Sequence, residues 1–183
     1  MITFVKYTVK LIFIIVMLLF TISCSVKGGD LQEYIVEKSQ DPEFITFDVP
    51  TSIFDVSQTE LTAEEKEIYN SIKKVNVLML QQENSQKFKI EATRVSTILK
   101  SDDFEKLISL NDKSFKGQLY YIGDDENVDE VIIYGKSPDK GFAIIRILGD
   151  EMKLENIGKL MNILQKSNID EGALGTLTDF FEK

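Results

Sequence analysis

Carboxylates, hydroxyls, lysines, arginines and tyrosines are the groups with which this chain could do chemistry. Its 183 residues include no His and a single Cys, so it lacks the commonest general base and metal ligand and has no cysteine set for a zinc site. Asp48, Asp55 and Asp150 could converge as an acid/base pair that uses two facing carboxyl groups. Each also suits an exposed strand position, a turn or a helix cap, so both interpretations stay open.

One acidic segment has the beginning of a calcium-binding pattern. Asp125, Asn127 and Asp129 have the alternate spacing that opens a calcium loop. Glu130 stands where such a loop needs Gly, and Lys136 stands where it needs Glu. We therefore interpret the segment as a solvated hairpin turn, and we expect neither a metal nor a cofactor.

Two features of the C-terminal half have both a functional and a structural interpretation. Arg146 lies inside the apolar segment FAIIRIL, where it could bind an anion, but an unpaired buried cation is costly. We expect it to pair with a carboxylate such as Glu130 on the neighbouring strand. Tyr120, Tyr121 and Tyr134 could form a platform for a ligand, and we expect them instead to pack across strands.

The single Cys follows an apolar segment near the N-terminus. Lys6 and Lys10 precede residues 11–22, which are almost all apolar and are too few for a membrane-spanning helix, which needs about 20 residues. Ser23 then places a small residue directly before Cys24. This order resembles the lipobox of bacterial lipoproteins, which implies that residues 1–23 are a signal peptide and that Cys24 carries a thioether-linked diacylglycerol.

Thr21 stands where the usual box has Leu, and the alternative is an uncleaved anchor helix with an incidental Cys. Cleavage before Cys24 would remove two lysines and no acidic residue, so the net charge would move from −9 to −11 over the remaining 160 residues. Such an acidic domain is unsuited to nucleic acid or to adsorption on anionic lipid. We therefore expect the lipid on Cys24 to attach the protein to the membrane.

The rest of the chain has no repeat and no convincing internal boundary. We interpret residues 24–30 as the lipidated Cys and a short tether, residues 31–166 as a single α+β domain, and residues 167–183 as a C-terminal tail. Five apolar residues of the tail have helical spacing and could dock as a short helix or meet a partner: Ala173, Leu174, Leu177, Phe180 and Phe181.

Hydrophobic periodicity predicts the elements that must position these groups. Residues 44–50 alternate as a half-buried strand does, and residues 75–80 are nearly all apolar, as in a central strand covered on both faces. Thr62 and Glu65 form a capping-box pattern that opens a helix. A second helix is predicted from the apolar stripe of Phe88, Ala92, Val95 and Leu99.

The second half of the chain predicts a third short helix and a meander. Asp102 is a plausible cap for that helix, with Phe104, Leu107 and Ile108 facing inward. Three strands follow at residues 119–122, 128–134 and 142–148, and an amphipathic helix closes the domain at residues 154–164. This order predicts an α+β fold with one mixed, largely antiparallel sheet that ends in a three-stranded meander, with helices packed on it.

A resemblance to a known family rests on five segments, namely FITFDVPTSIFDV, KKVNVLML, FEKLISL, VDEVIIYGKSPDKGFAIIRILGD and LENIGKLM. In this order they resemble domain-of-unknown-function family 4252, over roughly residues 30–165. Its members are small predicted lipoproteins of Gram-negative bacteria. The resemblance therefore implies a lipid-anchored protein of the cell envelope, either on the outer membrane facing the periplasm or at the cell surface. The family has no defined catalytic residues to carry over to this chain, so the resemblance leaves the activity open.

The sequence contains no nucleophile elbow, no phosphate-binding glycine loop and no paired metal motif. We therefore expect a membrane-tethered cell-envelope lipoprotein that is a binding or interaction module for an envelope protein, with an exposed sheet face or edge as the contact. One alternative is a carboxylate-dependent hydrolase of envelope polymers, which needs a cleft with two facing carboxyl groups. The other is a purely structural envelope protein with no discrete ligand.

Overall fold

The computed structural model describes residues 28–51, 54–55, 60–82, 85–112, 115–166 and 168–169. Cys24 lies outside the described residues, as do the five apolar residues of the tail, Ala173, Leu174, Leu177, Phe180 and Phe181. The lipidation site and the docked tail helix therefore stay predictions.

Four α-helices and eight strands make up the described chain. The helices are α1 (Gly29–Lys38), α2 (Ala63–Asn70), α3 (Ser85–Ile98) and α4 (Ile157–Lys166). The strands are β1 (Phe44–Val49), β2 (Phe54–Asp55), β3 (Ile72–Gln81), β4 (Glu105–Asn111), β5 (Lys116–Gly123), β6 (Val128–Ser137), β7 (Gly141–Met152) and β8 (Asn168–Ile169).

One six-stranded sheet organises the fold, in the order β1-β3-β7-β6-β5-β4. Every neighbouring pair in it is antiparallel, and β2 pairs with β8 in a separate two-stranded sheet. The α+β fold is confirmed. The meander is one strand longer than the sequence predicts, because β4, β5, β6 and β7 are successive neighbours.

The short helix predicted after Asp102 is wrong, since residues 105–111 form the edge strand β4. Phe104 is buried, but Leu107 and Ile108 are exposed. Leu107 and Ile108 follow Phe104 by three and four residues, which fits one turn of helix. Ile108 and Leu110 are two residues apart, which fits a strand equally well. Backbone pairing with β5 favours the strand.

The two faces of the sheet each carry a hydrophobic core. One core includes Val75, Val77 and Met79 of β3 together with side chains of α2 and α4. The other includes Leu78 and Leu80 of β3 together with side chains of α1 and α3. The prediction of a central strand covered on both faces is therefore confirmed, because side chains alternate between the faces of a strand.

The local signals at two helices are also confirmed. Thr62 accepts a hydrogen bond from the backbone N–H of Glu65, whose side chain accepts one from the backbone N–H of Thr62, so the capping box opens α2. In α3, Ala92 and Val95 are buried against the sheet, as is Leu99 just after the helix, with Phe88 packed at the edge of the same core.

Candidate functional site

Arg146 and Glu130 form an ion pair on the sheet face that α1 and α3 cover. The Arg146 Nε donates a hydrogen bond to Glu130 Oε2 over 2.6 Å, and Nη2 donates to Oε1. Both side chains are nearly buried. The pairing expected for Arg146 is therefore confirmed, and its guanidinium is engaged with a carboxylate.

Asp48 lies on the same face and is engaged by two neighbours. Asn76, which is the register partner of both Asp48 and Arg146, donates a hydrogen bond from its side chain to the Asp48 carboxylate. Lys74 Nζ lies 2.8 Å from Asp48 Oδ2, and its hydrogen bond lowers the pKa of Asp48. Asp48 is thus held as a carboxylate, and it is not a proton donor near neutral pH.

Asp150 does not join Asp48 in an acid/base pair. Asp150 lies near the end of β7, 3.9 Å from Lys73, in a groove beside α2 and α4. Asp55 is in the short strand β2, and its side chain is outside the described set. The facing carboxyl groups that the hydrolase alternative needs are not supplied by Asp48 and Asp150.

The groove beside α2 and α4 has a volume of about 610 Å³ and is lined by several carboxylates, namely Glu64, Glu67, Glu126, Asp150 and Glu151. Three of them face lysines: Glu64 pairs with Lys159, Glu126 with Lys153, and Asp150 with Lys73. These lysines offset three of the five carboxylates, so the lining is a solvated and only partly compensated acidic surface. Its described side chains form no group that could hold a metal ion.

The segment with calcium-like spacing forms the hairpin turn between β5 and β6. The Asp124 carboxylate accepts hydrogen bonds from the backbone N–H groups of Glu126 and Asn127, over 3.0 and 2.8 Å. The carbonyl of Asp125 accepts one from the N–H of Leu154. Across the described ranges no three His, Cys, Asp or Glu side chains are grouped to hold a metal ion.

The three tyrosines of the meander are buried and packed within the sheet. The Tyr120 hydroxyl donates to Gln118, and the Tyr121 hydroxyl donates to Glu105 over 2.7 Å, which raises the pKa of Tyr121 to about 12. Tyr134 packs edge-to-face against Phe142. The expectation of packing across strands is confirmed, and these rings do not form an open platform.

The sequence predicts contact through an exposed sheet face or edge but does not identify β4, whose apolar side chains form an exposed edge. In the described part of the chain β4 pairs with β5 alone, and Leu107, Ile108 and Leu110 on it are 40%, 48% and 62% exposed. The signal for it was the alternation of Ile108, Ser109, Leu110 and Asn111. An open edge presents unpaired backbone N–H and C=O groups to a further strand.

The described residues define an α+β domain built on one open antiparallel sheet with helices on both faces. The family model described as a domain of unknown function (DUF4252) matches residues 36–160. Because the match covers more than half of the chain, the protein belongs to this family, as the resemblance indicated. No curated protein and no solved structure matches the chain. None of the described helices is long and apolar enough to cross a membrane.

Proposed function

We propose that this protein is a membrane-tethered lipoprotein of the cell envelope that binds an envelope protein by strand addition at β4. The observation that carries the binding proposal is that β4 pairs with β5 alone among the described strands and has three exposed apolar side chains. A strand added there gains backbone hydrogen bonds, and its alternate side chains meet Ile108 and Leu110. The tether is supported by the lipobox-like segment that ends at Cys24.

The start of α1 supports a short tether. The backbone N–H of Gly28 donates a hydrogen bond to the Asp103 carboxylate over 3.2 Å, and Gly28 lies against Ile122 near the end of β5. Four residues of chain lead from Cys24 to Gly28 and span at most about 14 Å. A lipid on Cys24 would thus hold this end of the sheet close to the bilayer.

The opposite edge of the sheet is a poorer site for strand addition. In β1 the apolar Ile45 and Phe47 pack against the core that α2 and α4 cover, and β1 is followed by Pro50, which has no N–H to donate. The exposed position of β1 is Asp48. Strand β4 combines an open edge with exposed apolar side chains, and β1 does not.

The lipid anchor is tested by metabolic labelling with an alkyne analogue of palmitate. We expect label on the wild-type protein and on the neighbouring control Ser25→Ala, and no label on Cys24→Ala, because only the thiol can form the thioether. Unlabelled wild-type protein, or label that survives in Cys24→Ala, would show that Cys24 is not the attachment point.

The β4 contact is tested by photo-crosslinking in intact cells. A photoreactive residue replaces Leu107 on β4 or Ile90 on α3, which is 59% exposed and serves as the control position. We expect a discrete crosslinked species from position 107 only, and we expect Leu110→Lys to abolish it, because a charge on the edge opposes strand addition.

Crosslinks of equal yield from position 90, or a species unchanged by Leu110→Lys, would contradict binding at β4. Mass spectrometry of the species identifies the other chain. A crosslinked product made of two copies of this protein would show that β4 mediates self-association and not binding to an envelope partner. Urea unfolding of Leu110→Lys should match that of the wild type, because the side chain is 62% exposed.

A further inference from the structure

A second groove, at the other end of the sheet, is lined by lysines. It lies between α3 and the neighbouring ends of β5 and β6 and has a volume of about 420 Å³. Lys89, Lys100, Lys116 and Lys136 line it, and none of its described lining residues is a carboxylate. This concentration of positive charge stands out in a chain whose net charge is −9.

The lysines converge from the helix and the sheet. Lys89 lies on α3 and Lys100 lies two residues beyond its end, while Lys116 and Lys136 are direct register partners on β5 and β6. Like charges opposite each other in a sheet are destabilising. Burial, Lys116 and Lys100 together lower the pKa of Lys136. The folded protein therefore bears an electrostatic cost at this position that an anion would relieve.

Nothing in the described chain neutralises the cluster. None of the four lysines has a carboxylate oxygen within 4.0 Å among the described residues. Lys136 Nζ donates only a long hydrogen bond, over 3.4 Å, to Ser96 Oγ, and it lies over the Tyr134 ring at 5.7 Å. These neutral contacts leave the ammonium groups able to bind a negative group.

The rest of the lining is apolar or carries hydroxyls. Phe88, Ala92 and Pro138 supply apolar surface, and Thr93 and Thr97 supply hydroxyls. Phe88 packs against Phe142, with ring centroids 6.4 Å apart. A ligand that fits this lining needs a negative group for the lysines and an apolar segment for the surface beside Phe88.

We infer that the groove between α3 and the ends of β5 and β6 binds a small soluble anion with an apolar segment, through a carboxylate or phosphate group held by Lys100, Lys116 and Lys136. The groove volume is within the range of small-molecule sites. A compact ammonium group binds phosphate or carboxylate as a point charge.

The position of the groove favours a soluble ligand over the head groups of the anchoring bilayer. Gly28, where the tether joins the domain, lies against Ile122, and Lys116 lies six residues earlier on the same strand. Six residues of strand span about 20 Å. This choice of source rests on the proposed tether at Cys24, whereas the anion site itself does not.

Binding is tested by calorimetry and by NMR shifts of the Thr93, Ser96 and Thr97 amides, with octyl phosphate as the probe. Octyl glucoside has the same chain without the charge, and inorganic phosphate has the charge without the chain. We expect octyl phosphate to bind more tightly than either one, with an affinity that falls as salt is added. Equal binding of octyl glucoside, or no shift of these amides, would overturn the site. If inorganic phosphate bound as tightly as octyl phosphate, the ligand would need no apolar segment, and that part of the proposal would be overturned.

The double variant Lys100→Gln/Lys116→Gln should weaken octyl phosphate binding about tenfold or more. It removes two ammonium groups that contact the phosphate, and such charge-assisted contacts are stronger than contacts between neutral groups. The matched control Lys66→Gln/Lys73→Gln changes the net charge equally and leaves the groove intact, so its affinity should equal that of the wild type. Equal losses of affinity in both variants would show that binding depends only on the net charge of the protein, and would overturn the site.

Vesicles of phosphatidylglycerol and phosphatidylcholine distinguish a lipid head group from a soluble ligand as the source of the anion. Flotation of the full-length Cys24→Ala protein should show no vesicle binding that depends on Lys100 and Lys116. If the protein bound the vesicles and the double variant did not, the groove would bind a lipid head group, and the proposal of a soluble ligand would be overturned. This experiment is independent of labelling at Cys24 and of crosslinking at β4, so failure of the groove is distinguishable from failure of the proposed function.

Discussion

Arg146 and Glu130 are diagonal neighbours in the sheet, and their ion pair is nearly buried. Glu130 is the register partner of Leu148, and Arg146 is the register partner of Ile132, so the two side chains lie on the same face of β6 and β7 and cross toward each other. Two hydrogen bonds join them. Buried charges cost much when one partner is missing.

Removal of one member of this pair should be strongly destabilising. We expect Arg146→Met or Glu130→Gln to lower the free energy of unfolding by about 3–5 kcal/mol, because each leaves its partner buried without a counter-charge. The double variant Arg146→Met/Glu130→Leu should lie within about 1 kcal/mol of the wild type or above it. Urea unfolding followed by circular dichroism measures all three.

The exposed pair of Lys153 and Glu126, 3.6 Å apart, is the control for the buried pair. Lys153→Gln should cost about 1 kcal/mol or less, since water screens exposed ion pairs. Single variants at Arg146 and Glu130 that cost no more than this control would show that the pair is not sequestered from water.

The charge of Glu37 should stabilise the protein near neutral pH, and this contribution should be lost in acid. Arg94 donates two hydrogen bonds to it, over 2.9 and 2.6 Å, and Lys38 lies 3.1 Å away. The Arg94 hydrogen bonds, followed by that of Lys38, lower the pKa of Glu37 from 4.5 to about 2. A carboxyl group whose pKa is depressed by folding stabilises the protein above its unfolded pKa, and this contribution is lost as the pH falls through the folded pKa.

Stability should therefore decrease between pH 4.5 and about 2, and Glu37→Gln should flatten the curve in that interval. Urea unfolding at a series of pH values measures the slope, and an NMR titration reports the carboxyl directly. Glu33→Gln, on the same helix and without an ion pair in the described chain, should leave the slope unchanged. An identical acid slope in Glu37→Gln and the wild type would contradict the prediction.

Tyr34 contacts a buried ion pair between Lys38 of α1 and Glu91 of α3. Its hydroxyl donates a hydrogen bond to Glu91 over 3.1 Å, and Lys38 Nζ lies 2.8 Å from the other oxygen of Glu91. Burial raises the pKa of Tyr34. We expect Tyr34→Phe to cost about 1.5–3 kcal/mol, because a hydrogen bond to a charged group is lost.

The matched substitution is Tyr120→Phe, which removes a hydrogen bond to the neutral side chain of Gln118. It should cost about 0.5–1.5 kcal/mol in the same urea experiment. Costs in the reverse order would show that Tyr34 does not stabilise the charge of Glu91.

Gly141 and Gly158 should respond to Ala in opposite directions. Gly141 has a φ of +118°, and a Cβ there would clash with the carbonyl oxygen of Leu80, so Gly141→Ala should destabilise the protein strongly. Gly158 is inside α4, where an added methyl group would meet no described atom within 4 Å, and Gly158→Ala should add about 0.5–1 kcal/mol. Thermal unfolding of both variants gives the signs, and equal signs would contradict the prediction.

Much of the fold could be predicted because its signals are local. The two-residue period of β1, the apolar run of β3 and the Phe88–Leu99 stripe each specify one element, and Arg146 inside an apolar strand predicts a carboxylate opposite. Strand β4 could not be predicted this way. Its short apolar pattern fits a helical turn as well as a strand, and pairing with β5 decides between them.

The candidate sites depend still more on the tertiary structure. The sequence by itself determined the acidic charge, the lipobox-like segment at Cys24 and the alternation that buries one face of each strand, because these follow from composition and from neighbours along the chain. Only the tertiary structure decided that Asp48 and Asp150 lie apart, that β4 is at the edge of the sheet formed by the described strands, and that Lys100, Lys116 and Lys136 converge. Residues distant in sequence meet through sheet register and helix packing, and no spacing along the chain encodes those distances.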